Sequence, residues 1–183
     1  MDRQPSTRRL ALVDTLPLRT ARLTLRALSP DDTADVAATL GDPGVMRHFP
    51  RPLTHAETAA WLARTLRRYG RDGTGLFAVC REGHWIGNCG IVLRRIDEDV
   101  VPELGYHFRR DVWGHGYARE AAAACVALAF AKAQVPILAA LIRPQNVRSR
   151  RVAAALGFRV RGMVVHEGLA HERWLRGRAG NSG

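Results

Sequence analysis

The sequence predicts a single α/β domain built on a mixed, mostly antiparallel, twisted sheet of about seven strands with about four helices. Three observations carry this. Strand-like and helix-like periods alternate along the chain, in the order β-α-α-β-β-β-α-β-α-β-β, without a linker or a repeat. The three consecutive strand patterns in the middle are separated by short polar connections, as in an antiparallel meander. The length, 183 residues with 46% hydrophobic content, is that of one domain able to bury a core without metals or disulfides.

Each element has a local cause. Residues 1–15 read as a flexible leader, 16–178 as the domain, and 179–183 as a flexible tail. Residues 22–28 alternate polar and apolar, with Leu23 and Leu25 set against Arg22, Thr24 and Arg26, which predicts a half-buried strand. Ser29-Pro30-Asp31-Asp32 supplies an N-cap, a proline at the first helical position and first-turn acids, opening a helix that stops near Leu40 before Gly41. Residues 45–53 form an irregular loop. Thr54 with Glu57 makes a capping box for a second helix, which runs to about Tyr69 with an apolar stripe of Trp61, Leu62, Thr65, Leu66 and Tyr69.

Residues 76–80, 85–93 and 101–108 follow as the meander. The alanine-rich stretch 117–133 is a helix by propensity and is ended by Pro136. Residues 137–142 are continuously apolar, as in a strand covered on both faces. Residues 146–156 form a helix closed by Gly157, and 158–166 and 169–178 form a last strand pair around Gly168.

Composition narrows the function classes. With 28 basic and 17 acidic residues the chain carries a formal charge of +11, and only one basic residue, Lys132, is a lysine. Such a charge attracts anions: nucleic acid, membrane surfaces or phosphorylated small molecules. No apolar run reaches the ~20 residues of a membrane span. Cys80, Cys89 and Cys125 lie in apolar stretches with no metal or disulfide spacing, which fits buried thiols in a reducing, cytoplasmic setting. His166 and His171 are five apart with Gly168 between them, so they lack the i, i+4 spacing of a zinc helix, and no metal is expected. The arginines at 148, 150 and 151 lack interleaved aromatics, which argues against nucleic acid as the partner.

The stretch from Val101 to Glu120 carries the chemistry. An apolar strand runs into Arg109 and Arg110. A glycine turn follows, Trp113-Gly114-His115-Gly116-Tyr117-Ala118, and a long helix starts inside it. Glycines let backbone approach closely, free N–H groups of the first turn point outward, and the helix dipole favours an anion. Two arginines alongside fit phosphate. The spacing matches neither a dinucleotide fingerprint nor a P-loop.

This turn resembles the acetyl-CoA-binding motif of the GNAT superfamily of N-acetyltransferases, Gln/Arg-X-X-Gly-X-Gly/Ala, with Trp113 standing in place of the Gln/Arg. That variant is similar to the branch of ribosomal-protein N-terminal (alanine/serine) acetyltransferases. Glu103-Leu104-Gly105-Tyr106 and Asn146-X-X-Ser149, ending in Leu156-Gly157-Phe158, support the same branch. The resemblance spans residues 18–176 and implies a GNAT-like single domain.

It further implies that the strand 101–108 splays from 137–142. The pantetheine arm of acetyl-CoA would enter between them, pairing with backbone of Tyr106 and Phe108. Gly114 to Arg119, hence Gly114, His115, Gly116, Tyr117, Ala118 and Arg119, would hold the pyrophosphate with Trp113, Arg109 and Arg110 beside them. The arginine run 148–151, otherwise a solvated helix face, could meet the 3′-phosphate. Asn146 would bond the pantetheine amides, and helix capping is its other reading. Ser149, on the same helix face, would protonate the leaving thiolate.

Glu103 is the candidate base for the attacking amine; His107 and His115 are weaker choices, and Glu120 reads as structural at the helix start. The acceptor pocket is expected to include residues 46–50, the tip of the second helix and the Gly168 turn. The reading is direct acetyl transfer from acetyl-CoA, as co-substrate, to a primary amine. A peptide N-terminus leads; a small-molecule amine, such as an amino acid or antibiotic, or a non-catalytic CoA- or nucleic-acid-binding module, remains the alternative. The chain is expected to be a monomer or homodimer.

Overall fold

The computed structural model describes residues 9–96 and 99–178. Eight strands form one sheet in the order β1-β2-β3-β4-β5-β6-β8-β7. They are β1 (Leu18–Arg19), β2 (Thr24–Arg26), β3 (Leu76–Arg81), β4 (His84–Ile96), β5 (Asp99–Phe108), β6 (Ile137–Ile142), β7 (Arg159–His166) and β8 (Leu169–Gly177). The helices are α1 (Thr33–Leu40), α2 (His55–Asp72), α3 (Tyr117–Leu128) and α4 (Val147–Ala155). The strand beyond the seven expected is β1, a two-residue rung on β2 too short to show alternation.

The expected meander is β3-β4-β5, with β4 and β5 in register from Gly87↔Phe108 to Ile96↔Asp99. Every pairing is antiparallel except β5 with β6, which are parallel and share a single bridge, Glu103↔Ala139. Beyond that bridge the two strands part. The expected splay between 101–108 and 137–142 is therefore present.

The sheet has apolar cover on both faces. One cluster joins Phe77, Ile91, Leu104 and Phe108 to α3 and α4 through Ala121, Cys125, Val126, Ala153 and Phe158. The other joins Ala78, Cys80 and Trp85 to α1 and α2 through Val36, Leu40 and Leu62. All three cysteines are free and buried.

Capping follows the sequence. Thr54 accepts from the Glu57 amide while the Glu57 carboxylate accepts from Thr54 N–H at 2.8 Å. Ser29 and Asp32 make the same box, with a 3₁₀ turn at Pro30–Asp32 before α1 begins. Two helix ends differ from expectation. α2 continues through Gly70 to Asp72 and stops where Gly73 turns left-handed at φ 67°. α3 widens into a π turn over Ala129–Ala133 ahead of left-handed Gln134 and Pro136.

The leader expected over 1–15 is corrected in its described part. Leu10 and Val13 donate backbone bonds to Asp72 and Gly73, and Leu12 is fully buried. The segment runs so close to Gly73 that a Cβ there would lie 2.5 Å from the Ala11 nitrogen. The leader's residues 1–8 and the tail 179–183 lie outside the described residues. No helix among the described residues is long and apolar enough to cross a membrane.

Candidate active site

A cleft of about 2100 Å³ runs along the opening between β5 and β6, from the glycine turn at one end to the β7–β8 hairpin at the other. Its chemistry starts in the β5 backbone. Arg109 N–H donates to Ile86 on β4 at 3.0 Å. Alternation then turns the N–H and C=O groups of Tyr106 and Phe108 away from β4, toward the gap. On β6, Arg178 N–H donates to the Pro136 carbonyl, so Leu138 and Ala140 continue that ladder with β8. The backbone groups of Ala139 and Leu141 therefore point the other way, toward β5. Two rows of backbone polar groups thus line an opening that only Glu103↔Ala139 bridges. One acceptor is already engaged: the Trp113 indole N–H donates to the Phe108 carbonyl at 2.9 Å. Trp113 therefore braces the strand end beside the turn.

The turn itself has the conformation its glycines permit. Gly114 and Gly116 lie at φ 85° and 80°, where L side chains are strained. The first intrahelical donor of α3 is Glu120 N–H, bonding the Gly116 carbonyl at 3.1 Å. The N–H groups of Tyr117, Ala118 and Arg119 precede it and have no partner within the helix. These residues line the cleft, with the positive end of α3 behind them.

The side chains of this turn are mostly scaffolding. Tyr117 is buried, its hydroxyl accepting from Arg81 at 2.7 Å, with the Arg22 guanidinium 4.6 Å over its ring and His115 stacked on it. His115 also meets the Val112 and Trp113 carbonyls through Nδ1. Glu120 turns away from the cleft and accepts from Thr20 Oγ1, Arg22 N and Arg22 Nε at 2.6–2.8 Å, pinning the β1–β2 turn to α3.

Arg109 and Arg110 line the cleft but have local partners. Arg109 pairs with Asp111 at 2.7 Å. Arg110 lies over Gly44 and 3.7 Å from Asp42, tying the α1–α2 loop to the turn. Arg148 of α4 instead stacks 4.6 Å from the Trp113 ring, and Arg151 lines the same wall. Neither has a carboxylate partner among the described residues; in that run it is Arg150 that pairs, with Glu172.

Asn146 caps α4, its Oδ1 accepting from Ser149 N–H at 3.2 Å. Ser149 stands half-buried opposite Tyr106. Burial raises the Tyr106 phenol to about 12, and the nearby Ser149 hydroxyl opposes that rise.

On the other face of β5 lie Glu103 and His107. Glu103 is buried and accepts from Arg94 Nε. Burial raises its carboxyl above the usual range, while Arg94, the Leu141 amide and Arg68 pull against that rise. Arg94 also meets His166 Nε2 at 2.7 Å, which links the base candidate to the β7–β8 hairpin. His107 sits between Phe49 and Trp61, with ring centroids 5.2 and 6.5 Å away, and its Nδ1 meets Asn88 Oδ1 at 3.0 Å. Burial holds it neutral, down to about 4.

Residues 46–50 line the cleft, as do His166, Glu167 and Leu169 of the hairpin around Gly168; α2 lines it from mid-helix, through Trp61, Arg64 and Arg68, rather than from the expected tip. Sequence singles out neither Arg94 nor Arg68 for these positions. The signal for Arg94 is its place diagonal to Glu103 once the β4–β5 register is known.

Residues 22–159 match the family described as an acetyltransferase (GNAT) domain. YkkB of Bacillus subtilis, an uncharacterized protein, is 38% identical over 143 residues, covering 76% of this chain and 83% of that one. The crystal structure of an acetyltransferase from Agrobacterium tumefaciens superposes with a TM-score of 0.77 at 26% identity, over 87% of this chain and 92% of that chain. The same fold is found, at 14% identity, in RimL, a ribosomal L7/L12 α-N-protein acetyltransferase in complex with coenzyme A. Its TM-score is 0.74, over 88% of this chain and 97% of that chain. It recurs at 18% identity in the aminoglycoside acetyltransferase AAC(6′)-Ib with coenzyme A, with a TM-score of 0.73 over 85% and 95%.

Proposed function

The chain belongs to the GNAT acetyltransferase family, and from that premise we propose that it moves acetyl from acetyl-CoA directly to a primary amine, with a peptide N-terminus as the leading acceptor. The observation that carries the reading is the β5–β6 gap. Its unused backbone groups lead straight to the free N–H groups at the start of α3. An extended chain of amides ending in phosphates fits that sequence of partners: backbone of Tyr106 along the gap, then Gly114 to Arg119 for the phosphates. Trp113, Arg148 and Arg151 form the adjoining wall.

Acetyl-CoA supplies an activated thioester carbonyl at the gap. The amine nitrogen forms the new C–N bond as the C–S bond breaks. Glu103 takes the proton that the ammonium must lose, directly or through water. Ser149 gives a proton to the thiolate and is made good, directly or through water, by the second proton that the nitrogen loses as the amide forms. The raised carboxyl of Glu103 suits a base working nearer neutrality than an ordinary carboxylate. No acyl-enzyme is required, since holding the two reactants together supplies much of the rate. Three buried free thiols fit a reducing cytoplasm.

A small-molecule amine is the second reading, favoured by the charged wall that Arg64 and Arg68 of α2 give the acceptor side. The test is a transfer screen over peptides and small amines, read by thiol release, with calorimetry for CoA. CoA binding of micromolar order with amine-dependent thiol release is expected. No CoA binding at low salt would overturn the reading, and tight salt-sensitive DNA binding would replace it.

A further inference from the structure

The acceptor side of the cleft carries a charge pattern that the transfer chemistry does not use. Trp61, Arg64 and Arg68 follow one another at three- and four-residue steps, so they share one face of α2. That face lies along β5. Trp61 packs against His107, and Arg68 is close enough to Glu103 to act on its carboxyl. The spans agree: seven helical residues cover ~10.5 Å, and the four strand residues from His107 back to Glu103 cover ~13 Å.

Two guanidinia, of Arg68 and Arg94, therefore act on the carboxylate of Glu103, and that of Arg64 lies one helical turn from Arg68; all three line the cleft. Arg94 is committed to Glu103. Neither Arg64 nor Arg68 has a carboxylate within 4.0 Å among the described residues. Of the other acids on this side, Asp42 belongs to Arg110, Asp111 to Arg109, and Glu167 stands 3.7 Å from His166. Asp35, at the α1 end, has no ion-pair partner among them. Burial, then repulsion by Arg94 and Arg71, moves Arg68 below its ordinary value; Asp72, one turn on, opposes that shift but is itself paired with Arg71 at 2.6 Å. Elsewhere this arginine-rich chain pairs its half-buried carboxylates with guanidinia, as at Arg26–Asp32 and Arg22–Glu120. Here the missing partner is an anion.

We propose that the acceptor is an amine that also carries a carboxylate, held by Arg64 and Arg68 on α2 while the amino group faces Glu103. This rests on the acetyl-transfer reading and narrows it. The two faces of the pocket then have separate tasks: Glu103 accepts the ammonium proton, and the α2 arginines fix the other end. A carboxylate can come from an acidic residue next to a peptide N-terminus or from a free amino acid. A polycation, with amines at both ends, meets Arg64 and Arg68 as repulsion.

Matched acceptor pairs test this: Ala-Asp against Ala-Asn amidated peptides, and free aspartate against its amides, at saturating acetyl-CoA. Charge-assisted bonds of this type correspond to a preference of roughly 10- to 100-fold in kcat/KM for the carboxylate member, mainly in KM. Whichever pair shows the preference identifies the source. In Arg64→Gln/Arg68→Gln the ratio should fall to about 2-fold or less, and Arg68→Lys should restore much of it. Equal rates in the native protein, or a preference that survives the double glutamine variant, overturns the proposal.

N-acetylaspartate, which keeps the carboxylates and has no amine to react, gives an independent readout by calorimetry on the CoA-saturated protein. Arginine-dependent binding without any turnover would leave the anion site standing and sink the transfer reading. No binding together with no carboxylate preference would sink the site.

Discussion

Replacing Arg94 with glutamine reports directly on what Glu103 does. In the native protein the Glu103 carboxylate is buried and its charge is supported chiefly by Arg94, with Arg68 and the Leu141 amide as lesser partners. A charge-assisted hydrogen bond in such a setting is worth about 1.5–3 kcal/mol. At 1.36 kcal/mol per pKa unit, its loss corresponds to about 1–2 units. Arg68 stays in place in the variant and holds the effect toward the lower figure. Removing a cation disfavours the ionised carboxylate, so the base is protonated up to a higher pH.

The assay is the pH dependence of kcat/KM for acetyl transfer, which reports the free enzyme's base. Its acid limb should move upward by about 1–2 pH units in Arg94→Gln and disappear in Glu103→Gln. Stability follows the same group. A carboxyl raised in the folded state favours the fold fully at low pH, and that contribution is lost as pH rises through the folded value. The native protein should therefore lose this stabilisation on the alkaline side, and the variant should lose more. An acid limb that stays put in both variants would show that another group accepts the proton, with His107 next to be examined.

Three further outcomes follow from particular contacts. Gly116→Ala has room for its methyl group, the nearest atom being Arg22 Nη2 at 3.6 Å, so its cost is conformational; a loss of about 1 kcal/mol, or ~2–4 °C in melting temperature, is expected with weaker CoA binding, and an unchanged melt would refute the strain argument. Ser149→Ala should lower turnover by ~10²-fold if Ser149 protonates the thiolate, and full activity would remove it from that role. Glu120→Ala leaves Thr20 and Arg22 without their acceptor. It should cost about 1–2 kcal/mol after allowing for the exposure of Arg22. Because those bonds outweigh burial and hold the Glu120 carboxyl below its ordinary value, the native advantage should shrink as pH falls through that lowered value, as thermal melts between acid and neutral pH will record.

Where local rules decide, the sequence is readable. The glycine turn, the capping boxes at Ser29 and Thr54, and the continuous apolar run of β6 each follow from neighbours a few residues away. What escapes those rules is set by distant chain. The two-residue β1 exists because its hairpin is pinned to Glu120, about a hundred positions on. Gly70 reads as a helix end, but the stop lies at Gly73, where residues 10–13 pack onto the cap. In the candidate site, sequence supplies the residues and not their pairings. Arg109 and Arg110 read as phosphate ligands, yet Arg109 turns to Asp111, two residues on, and Arg110 lies near Asp42, which only the folded loop brings to it. Arg94 and Arg68 carry no signal at all until the β4–β5 register and the crossing of α2 place them around Glu103.

The single β5–β6 bridge has a mechanical consequence. Only Glu103↔Ala139 joins strands β1–β5 to strands β6–β8 within the sheet, and α3 backs the seam. An extended ligand in the opening, as proposed, would add the missing rungs and make the two parts one continuous sheet. Ligand concentration would then set the stability of the fold, adding ~2.7 kcal/mol at a hundredfold excess over Kd. Amide hydrogens on β5 and β6 should be the ones whose exchange slows most when the opening is filled.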